Sequence, residues 1–108
     1  MKIEIKEIFK LKVMLDNAEI EHEFYDRTDK LGFKDYIKYQ IIVYNPITED
    51  RLISVIEGYG TYGYEKDLLE IMGCLSKKEE KHDSVLGYLT AEEVFKRIKR
   101  HLNKLNKE

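Results

Sequence analysis

The spacing of apolar residues in the first half of the chain predicts one helix followed by three strands. Over residues 4–18 they recur every three or four positions, on the stripe Ile8, Leu11, Leu15 and Ala18. Alternation of apolar and polar residues then predicts strands over 20–26, Tyr36–Tyr44 and Arg51–Glu57. Turn residues fill the interval 45–50, so we expect the last two strands to form an antiparallel hairpin.

The second half of the chain is predicted to be helical. Residues Glu65–Met72 read as a helix that Gly73 ends. Ser76 and Thr90 are each followed three residues later by glutamate, and the second of these capping boxes opens a final helix. We therefore predict one domain over residues 1–108. Its fold is α+β in two layers, a three-stranded antiparallel sheet with order α-β-β-β-α-α and the helices packed on one face.

Composition narrows the compartment and the classes of partner. The 108 residues carry a net charge of −2, which gives no global attraction to nucleic acid or to an anionic membrane. Apolar runs are far shorter than the roughly 20 residues that span a bilayer, so no membrane association is expected. A single cysteine, Cys74, excludes a disulfide within the chain and favours a reducing compartment. A cytoplasmic protein is predicted.

Gly58, Gly60 and Gly63 match the spacing of a dinucleotide-binding loop. That loop requires a parallel strand-helix-strand unit, whereas the strand before these glycines belongs to a hairpin. A phosphate loop of the other type needs Gly-Lys followed by Ser or Thr, which is absent. We therefore predict no cofactor and identify no small-molecule substrate, and the glycines are interpreted as a tight turn.

The predicted order of elements over residues 5–73 resembles the double-stranded-RNA-binding domain. In that family a cluster of lysines opens the helix after the glycines and grips phosphates. This chain has Tyr64-Glu65-Lys66-Asp67 at that place, with one lysine and two acids. The resemblance implies a similar topology, while RNA binding of the same kind is not expected.

No residue pattern predicts catalysis or a metal site. Glu21, His22 and Glu23 cluster in sequence, but on a strand the histidine points away from both neighbours. Cys74 has no activating base close in sequence. No catalytic residue and no metal ligand is therefore assigned.

The last helix presents a basic face. It includes four candidate nucleic-acid-binding residues, Lys96, Arg97, Arg100 and Lys104. A charged helix face is more often simply solvated. Nucleic-acid binding through this face is the alternative functional hypothesis.

The preferred functional hypothesis, binding of a protein partner, is based on the tyrosines. Three of them, Tyr59, Tyr62 and Tyr64, lie on the glycine loop, and Tyr36 lies on a neighbouring strand. Tyrosine offers a large contact area and is enriched at protein interfaces. We therefore predict a non-enzymatic protein that binds a protein partner, which could be a second copy of the chain. Packing within the sheet is the alternative role for these side chains.

Two segments, Gly58–Gly73 and Asp83–Phe95, resemble uncharacterised small proteins encoded by phages and prophages of Gram-positive bacteria. The resemblance is strongest over residues 52–100. It implies a mobile genetic element and a bacterial cytoplasm, and it implies no activity.

Overall fold

The computed structural model describes residues 5–26, 38–58 and 61–105. Within these ranges the chain forms three helices, five strands and one short 3-10 turn. In chain order they are α1 (Glu7–Asn17), β1 (Glu23–Asp26), β2 (Tyr39–Tyr44), β3 (Arg51–Glu57), the 3-10 turn (Tyr64–Lys66), β4 (Leu69–Gly73), α2 (Lys77–His82), β5 (Val85–Leu89) and α3 (Ala91–Leu105).

The strands form a single sheet in which neighbours in sequence are neighbours in space. The order is β1-β2-β3-β4-β5, and every pair is antiparallel. The α+β class and the antiparallel pairing agree with the sequence-based expectation. The predicted three-stranded sheet with order α-β-β-β-α-α is wrong, because two further strands extend it. The order of elements expected for a double-stranded-RNA-binding domain is therefore not found either, because a fourth strand takes the place of its second helix.

The segment predicted as the helix Glu65–Met72 contains strand β4 instead. Its apolar residues fit a strand as well as a helix, because Leu69 and Ile71 face the core while Met72 is exposed. Asp67 has a φ of 54°, a left-handed conformation that ends the short 3-10 turn before an α-helix can form. Pairing of Leu69–Gly73 with strands on both sides then fixes the extended conformation.

Gly73 was expected to stop that helix, and the structure gives it a different role. Its φ is 105°, and a Cβ atom at this position would lie 2.3 Å from the carbonyl oxygen of Leu52. The backbone of β4 therefore approaches β3 more closely than any side chain would permit.

Strand β5 carries an irregularity that matters for the surface. Leu69 pairs with Leu89 and Ile71 pairs with Leu86, so Gly87 and Tyr88 together lie opposite the single residue Glu70. Two residues opposite one define a β-bulge, and Tyr88 adopts a left-handed φ of 61° within it. The bulge bends the edge of the sheet at this point.

Helices α1 and α3 pack on one face of the sheet and close the core. The sheet supplies apolar side chains that alternate along the three central strands, and the helices supply one stripe each. The buried core residues include Ile8, Leu11 and Leu15 of α1, Ile41, Val43, Ile53, Val55, Leu69 and Ile71 of the sheet, and Ala91, Val94 and Ile98 of α3. This arrangement gives the two-layer architecture.

Carboxylates from distant parts of the chain cap both long helices. Asp67 Oδ2 accepts a hydrogen bond of 3.2 Å from the backbone N–H of Glu7, at the start of α1. Glu7 in turn accepts one of 2.9 Å from the N–H of Ala91, at the start of α3. Each bond satisfies a donor that the helix itself leaves without a partner, and it places negative charge at the positive end of the helix dipole.

An ion pair between a half-exposed lysine and a buried glutamate lies next to these caps. The side chain of Glu57 is fully buried, and its Oε1 lies 3.0 Å from Lys6 Nζ. Burial of Lys6 opposes its charge, but hydrogen bonding and attraction to Glu57 and Asp67 outweigh that effect and raise the pKa of Lys6. Lys6 thereby joins the end of β3 to the first residues of α1.

A bidentate ion pair holds helix α2 against α3. Both oxygens of Glu79 accept 2.8 Å hydrogen bonds from the guanidinium of Arg97. Arg97 also donates to the carbonyl oxygen of Cys74 at 3.2 Å. The predicted capping box at Ser76 is present, and Glu79 is its second member. The bonds from Arg97 and from the Ser76 backbone lower the pKa of Glu79 to about 2.

This pKa predicts an acid-dependent loss of stability. A carboxyl whose folded pKa is lowered stabilises the protein above its unfolded pKa, and the contribution is lost as pH falls through the folded value. The window for Glu79 is therefore between pH 4.5 and about 2. Glu79→Gln should cost about 1 kcal/mol of unfolding free energy at neutral pH, as expected for a partly exposed pair. Urea denaturation at a series of pH values measures both effects.

The matched control is Glu80→Gln, which removes an exposed carboxylate from the same helix. It should leave the unfolding free energy of the wild type unchanged at neutral pH. The assignment would be contradicted if Glu79→Gln lost as much stability between pH 4.5 and about 2 as the wild type does.

Candidate functional site

A groove at the β5 edge of the sheet gathers tyrosines from two separate segments. It has a volume of about 430 Å³ and is lined by residues 61–66 and by Tyr88. We call these residues the tyrosine platform. Tyr62 and Tyr88 are the exposed large side chains on it, at 52% and 59% exposure.

Two hydrogen bonds anchor the backbone of Tyr62. Its N–H donates to Oε1 of Glu70 at 2.9 Å, and its carbonyl oxygen accepts from the N–H of Tyr88 at 3.2 Å. Glu70 is only 9% exposed and is the residue that faces the bulge of β5. A buried carboxylate acceptor makes a stronger bond than a neutral one, so Tyr62 is held firmly against the sheet.

Two glycines allow the loop to lie where it does. A Cβ atom on Gly87 would lie 2.1 Å from Cβ of Tyr62, so only glycine lets the loop cross β5. Gly63 has a φ of 102°, and its carbonyl oxygen accepts from the N–H groups of Lys66 and Leu68. The described part of the glycine loop is thus a tight turn with ordinary backbone partners, in line with its structural interpretation.

The tyrosines of the platform differ in what their side chains do. Neither Tyr62 nor Tyr88 has a side-chain hydrogen bond or ring contact with any residue in the described ranges. The hydroxyl of Tyr64 accepts a 2.8 Å hydrogen bond from Lys38, whose ammonium lies 5.2 Å from the ring centre. Tyr64 therefore ties the loop to the start of β2, whereas the other two present free rings.

The structure changes the predicted set of tyrosines. Of the four predicted residues, Tyr62 and Tyr64 lie on the platform, and Tyr36 and Tyr59 lie outside the described residues. Tyr88 was not predicted, because no strand was expected around it. The clue in the sequence was a tyrosine beside Gly87, in a short apolar segment just before the Thr90 capping box.

The basic face of α3 is partly engaged within the protein. Arg97 is held by Glu79, and Lys96 lies 3.7 Å from Glu92. Arg100 and Lys104 are exposed and make no ion pair with any described residue. Of the four predicted nucleic-acid-binding residues, two therefore remain available. Lys99, whose ammonium lies 5.6 Å from the ring centre of Phe95, adds a third exposed cation.

The other residues that the sequence offered as candidates for chemistry, His22 and Cys74, lie in surroundings typical of residues that support the fold. The side chain of His22 is only 7% exposed, with Nδ1 at 2.8 Å from the carbonyl oxygen of Ile20 and Nε2 at 3.4 Å from Asp16. Burial raises the pKa of the Cys74 thiol to about 11, which leaves little thiolate at neutral pH. Among residues 5–26, 38–58 and 61–105, no three His, Cys, Asp or Glu side chains are placed to hold a metal ion. None of the helices in these ranges could cross a bilayer.

The anchoring of Tyr62 is open to a direct test. Glu70→Ala should speed hydrogen exchange of the Tyr62 amide about tenfold or more, because a bond to a charged acceptor contributes about 1.5–3 kcal/mol. Glu70→Gln keeps a side-chain oxygen in place and should retain most of the protection. Met72→Ala, an exposed change two residues along the same strand, is the control. Equal exchange in all three variants would show that Glu70 does not hold the loop.

Comparison with known proteins identified no relative of this chain. No protein-family model, no curated protein and no solved structure matches the chain.

Proposed function

We propose that this protein is a non-enzymatic interaction protein that binds a protein partner through the tyrosine platform. The observation that carries the proposal is the pairing of two largely exposed tyrosines, Tyr62 and Tyr88, with an anchored backbone beneath them. A tyrosine ring buries a large area when a partner covers it, and both rings leave more than half of their surface open to one.

The chemistry of tyrosine suits protein recognition. A tyrosine ring offers a large apolar surface with few rotatable bonds, so little side-chain entropy is lost when a partner covers it. The backbone of Tyr62 is already fixed by Glu70 and Tyr88, which lowers the cost of ordering the loop on binding. Energy at such interfaces is concentrated in a few aromatic anchors, and Tyr62 and Tyr88 are placed to serve as anchors.

We further propose that the protein is encoded by a phage or prophage and acts in the bacterial cytoplasm. The resemblance of Gly58–Gly73 and Asp83–Phe95 to small phage-encoded proteins supports that setting, and the single cysteine is compatible with it. Under this proposal the partner is a host protein, a phage protein or a second copy of the chain.

Site-specific photo-crosslinking tests the proposal. A benzoylphenylalanine in place of Tyr62 or Tyr88 should give one dominant crosslinked partner in a Gram-positive bacterial lysate. Tyr44 is the matched control, since it is an exposed tyrosine at the end of β2, outside the platform. Alanine at Tyr62 or Tyr88 should weaken capture by about tenfold or more, as at an interface hot spot.

The outcomes of that experiment are distinct. A crosslinked dimer of the chain identifies a second copy as the partner and leaves the binding surface unchanged. Equal crosslinking from positions 62, 88 and 44 would contradict the proposal. Circular dichroism of each alanine variant establishes that the fold survives.

Nucleic-acid binding is a second candidate, favoured by the exposed cations of α3. Lys99, Arg100 and Lys104 lie within two turns of one helix and have no acidic partner among the described residues. Cations grouped in this way can follow a phosphate backbone.

Salt dependence measures this candidate directly. Binding of a short DNA or RNA duplex should fall steeply between about 50 and 200 mM salt, and the slope of log K against log salt should drop by about one for each phosphate contact removed. Arg100→Ala and Lys104→Ala should each show that drop, and Lys78→Ala on α2 should not. Absence of binding at the lowest salt would rule the candidate out, because phosphate contacts are strongest there.

A further inference from the structure

We infer that the chain forms a two-fold symmetric dimer in which an acidic groove of each copy receives a basic groove of the other. Both grooves border α3, and they differ in the sign of their charge. This contact is separate from the proposed function, because no residue of the tyrosine platform lines either groove.

The acidic groove lies beyond the end of α1, where the chain enters β1 beside the hairpin of β2 and β3. It has a volume of about 620 Å³, and Ile20, Val43 and Leu102 provide its apolar floor. No lysine or arginine is found among the described residues that line it. Its carboxylates belong to four residues: Glu19, Glu21, Glu23 and Glu49.

Most of these carboxylates have no partner within the described ranges. Three of them are exposed, with side chains that make no hydrogen bond or ion pair to a described residue: Glu19, Glu21 and Glu49. The fourth, Glu23, accepts hydrogen bonds from the hydroxyls of Tyr25 and Tyr44, which lower its pKa. The charge of Arg51 acts in the same direction. The groove therefore concentrates negative charge, most of which is left for a partner to neutralise.

The basic groove lies between α1 and α3. It has a volume of about 680 Å³, and Met14 and Phe95 supply its apolar part. Its charged residues are three cations and one acid: Lys96, Lys99, Arg100 and Glu92. Arg100 makes no ion pair with any described residue. The pair of Lys96 with Glu92 is 3.7 Å long and exposed on both sides, so it offers little resistance to exchange for another carboxylate.

The two grooves are complementary in charge and in construction. A lysine or arginine has a long aliphatic stem that covers apolar side chains, while its charged head reaches the surrounding polar groups. In the acidic groove those polar groups are carboxylates, with which a guanidinium makes its strongest hydrogen bonds. Lys99 and Arg100 of a second copy supply both the stems and the heads. The chain thus carries on its own surface the charge that each of its grooves selects.

The placement of the grooves favours a closed dimer. Leu102 lines the acidic groove and the next residue, Asn103, lines the basic one, so both grooves reach the last turn of α3. Complementary patches on opposite faces of a protein generate open filaments, whereas patches that lie side by side can both be satisfied across one two-fold axis. An axis beside the end of α3 makes each contact occur twice.

Sedimentation velocity of the purified full chain tests the dimer. At about 50 mM NaCl the chain should sediment as a dimer at submillimolar concentration. At about 500 mM NaCl the dissociation constant should rise about tenfold or more, because salt screens attraction between exposed charges.

Charge reversal in each groove identifies the pairing. Glu21→Lys with Glu49→Lys makes the acidic groove basic, and Lys99→Glu with Arg100→Glu makes the basic groove acidic. Each of these variants should be monomeric by itself at low salt, because like charges then face each other in both contacts. An equimolar mixture of the two variants should form a heterodimer, because both of its contacts again join opposite charges.

Glu80→Lys and Lys78→Glu on α2 are the matched controls, since both residues are exposed and line neither groove. Each should dimerise like the wild type. Glu21→Gln and Arg100→Gln only remove a charge, so they remain informative where a reversed variant fails to fold. Each should weaken the dimer about threefold, as expected for exposed ion pairs.

Several outcomes would overturn the inference. They are a wild-type chain that stays monomeric at about 50 mM NaCl, a dimer that salt does not weaken, and a mixture of the reversed variants that does not associate. Polymers larger than a dimer would overturn the two-fold arrangement.

The dimer and the tyrosine platform can fail separately. Tyr44 lines the acidic groove, so a benzoylphenylalanine at that position should crosslink two purified chains at about 50 mM NaCl and not at about 500 mM. Capture from positions 62 and 88 is therefore compared with position 44 at the higher salt, where the dimer has dissociated. Loss of that capture with an intact, salt-sensitive dimer would contradict the proposed function alone.

Discussion

The pairing of β4 with β5 is the contact on which both the fold and the candidate site depend. It brings Leu89 beside Leu69 at the edge of the core, and it positions the start of α3, which follows β5 directly in the chain. The same pairing sets Gly87 and Tyr88 opposite Glu70, and that bulge receives the loop that carries Tyr62. The pairing of β4 with β5 thus adds the last strand to the sheet and sets the shape of its exposed edge.

Helix capping couples the platform to the rest of the core. The segment that turns at Gly63 continues directly to Asp67, whose carboxylate accepts from the first N–H of α1. Glu7 on that helix then caps α3. Movement of the tyrosine loop would therefore disturb a helix terminus, and each such cap contributes about 1 kcal/mol. The exposed rings of Tyr62 and Tyr88 are carried by a backbone that is tied to three other elements.

Several side chains that suggested chemistry in the sequence serve the fold instead. Arg97 belongs to the basic stripe of α3, yet its guanidinium spans the gap to Glu79 and to the carbonyl of Cys74. Tyr64 lies on the glycine loop, but Lys38 engages its hydroxyl and ring. Sequence could predict the location of these residues on the surface. Only their partners, which are distant in the chain, decide that they are already engaged.

Local patterns determined the elements whose residues carry their own signal. The stripe of α1, the hairpin of β2 and β3, and the capping boxes at Ser76 and Thr90 follow from spacing and side-chain chemistry within a few residues. Tertiary structure decided β4, β5 and the platform. Five apolar-rich residues such as Leu69–Gly73 fit either a helix or a strand, and the choice depends on hydrogen-bonding partners elsewhere in the chain. For the same reason the neighbour of Tyr62 is Tyr88, which only the folded sheet brings to the same groove.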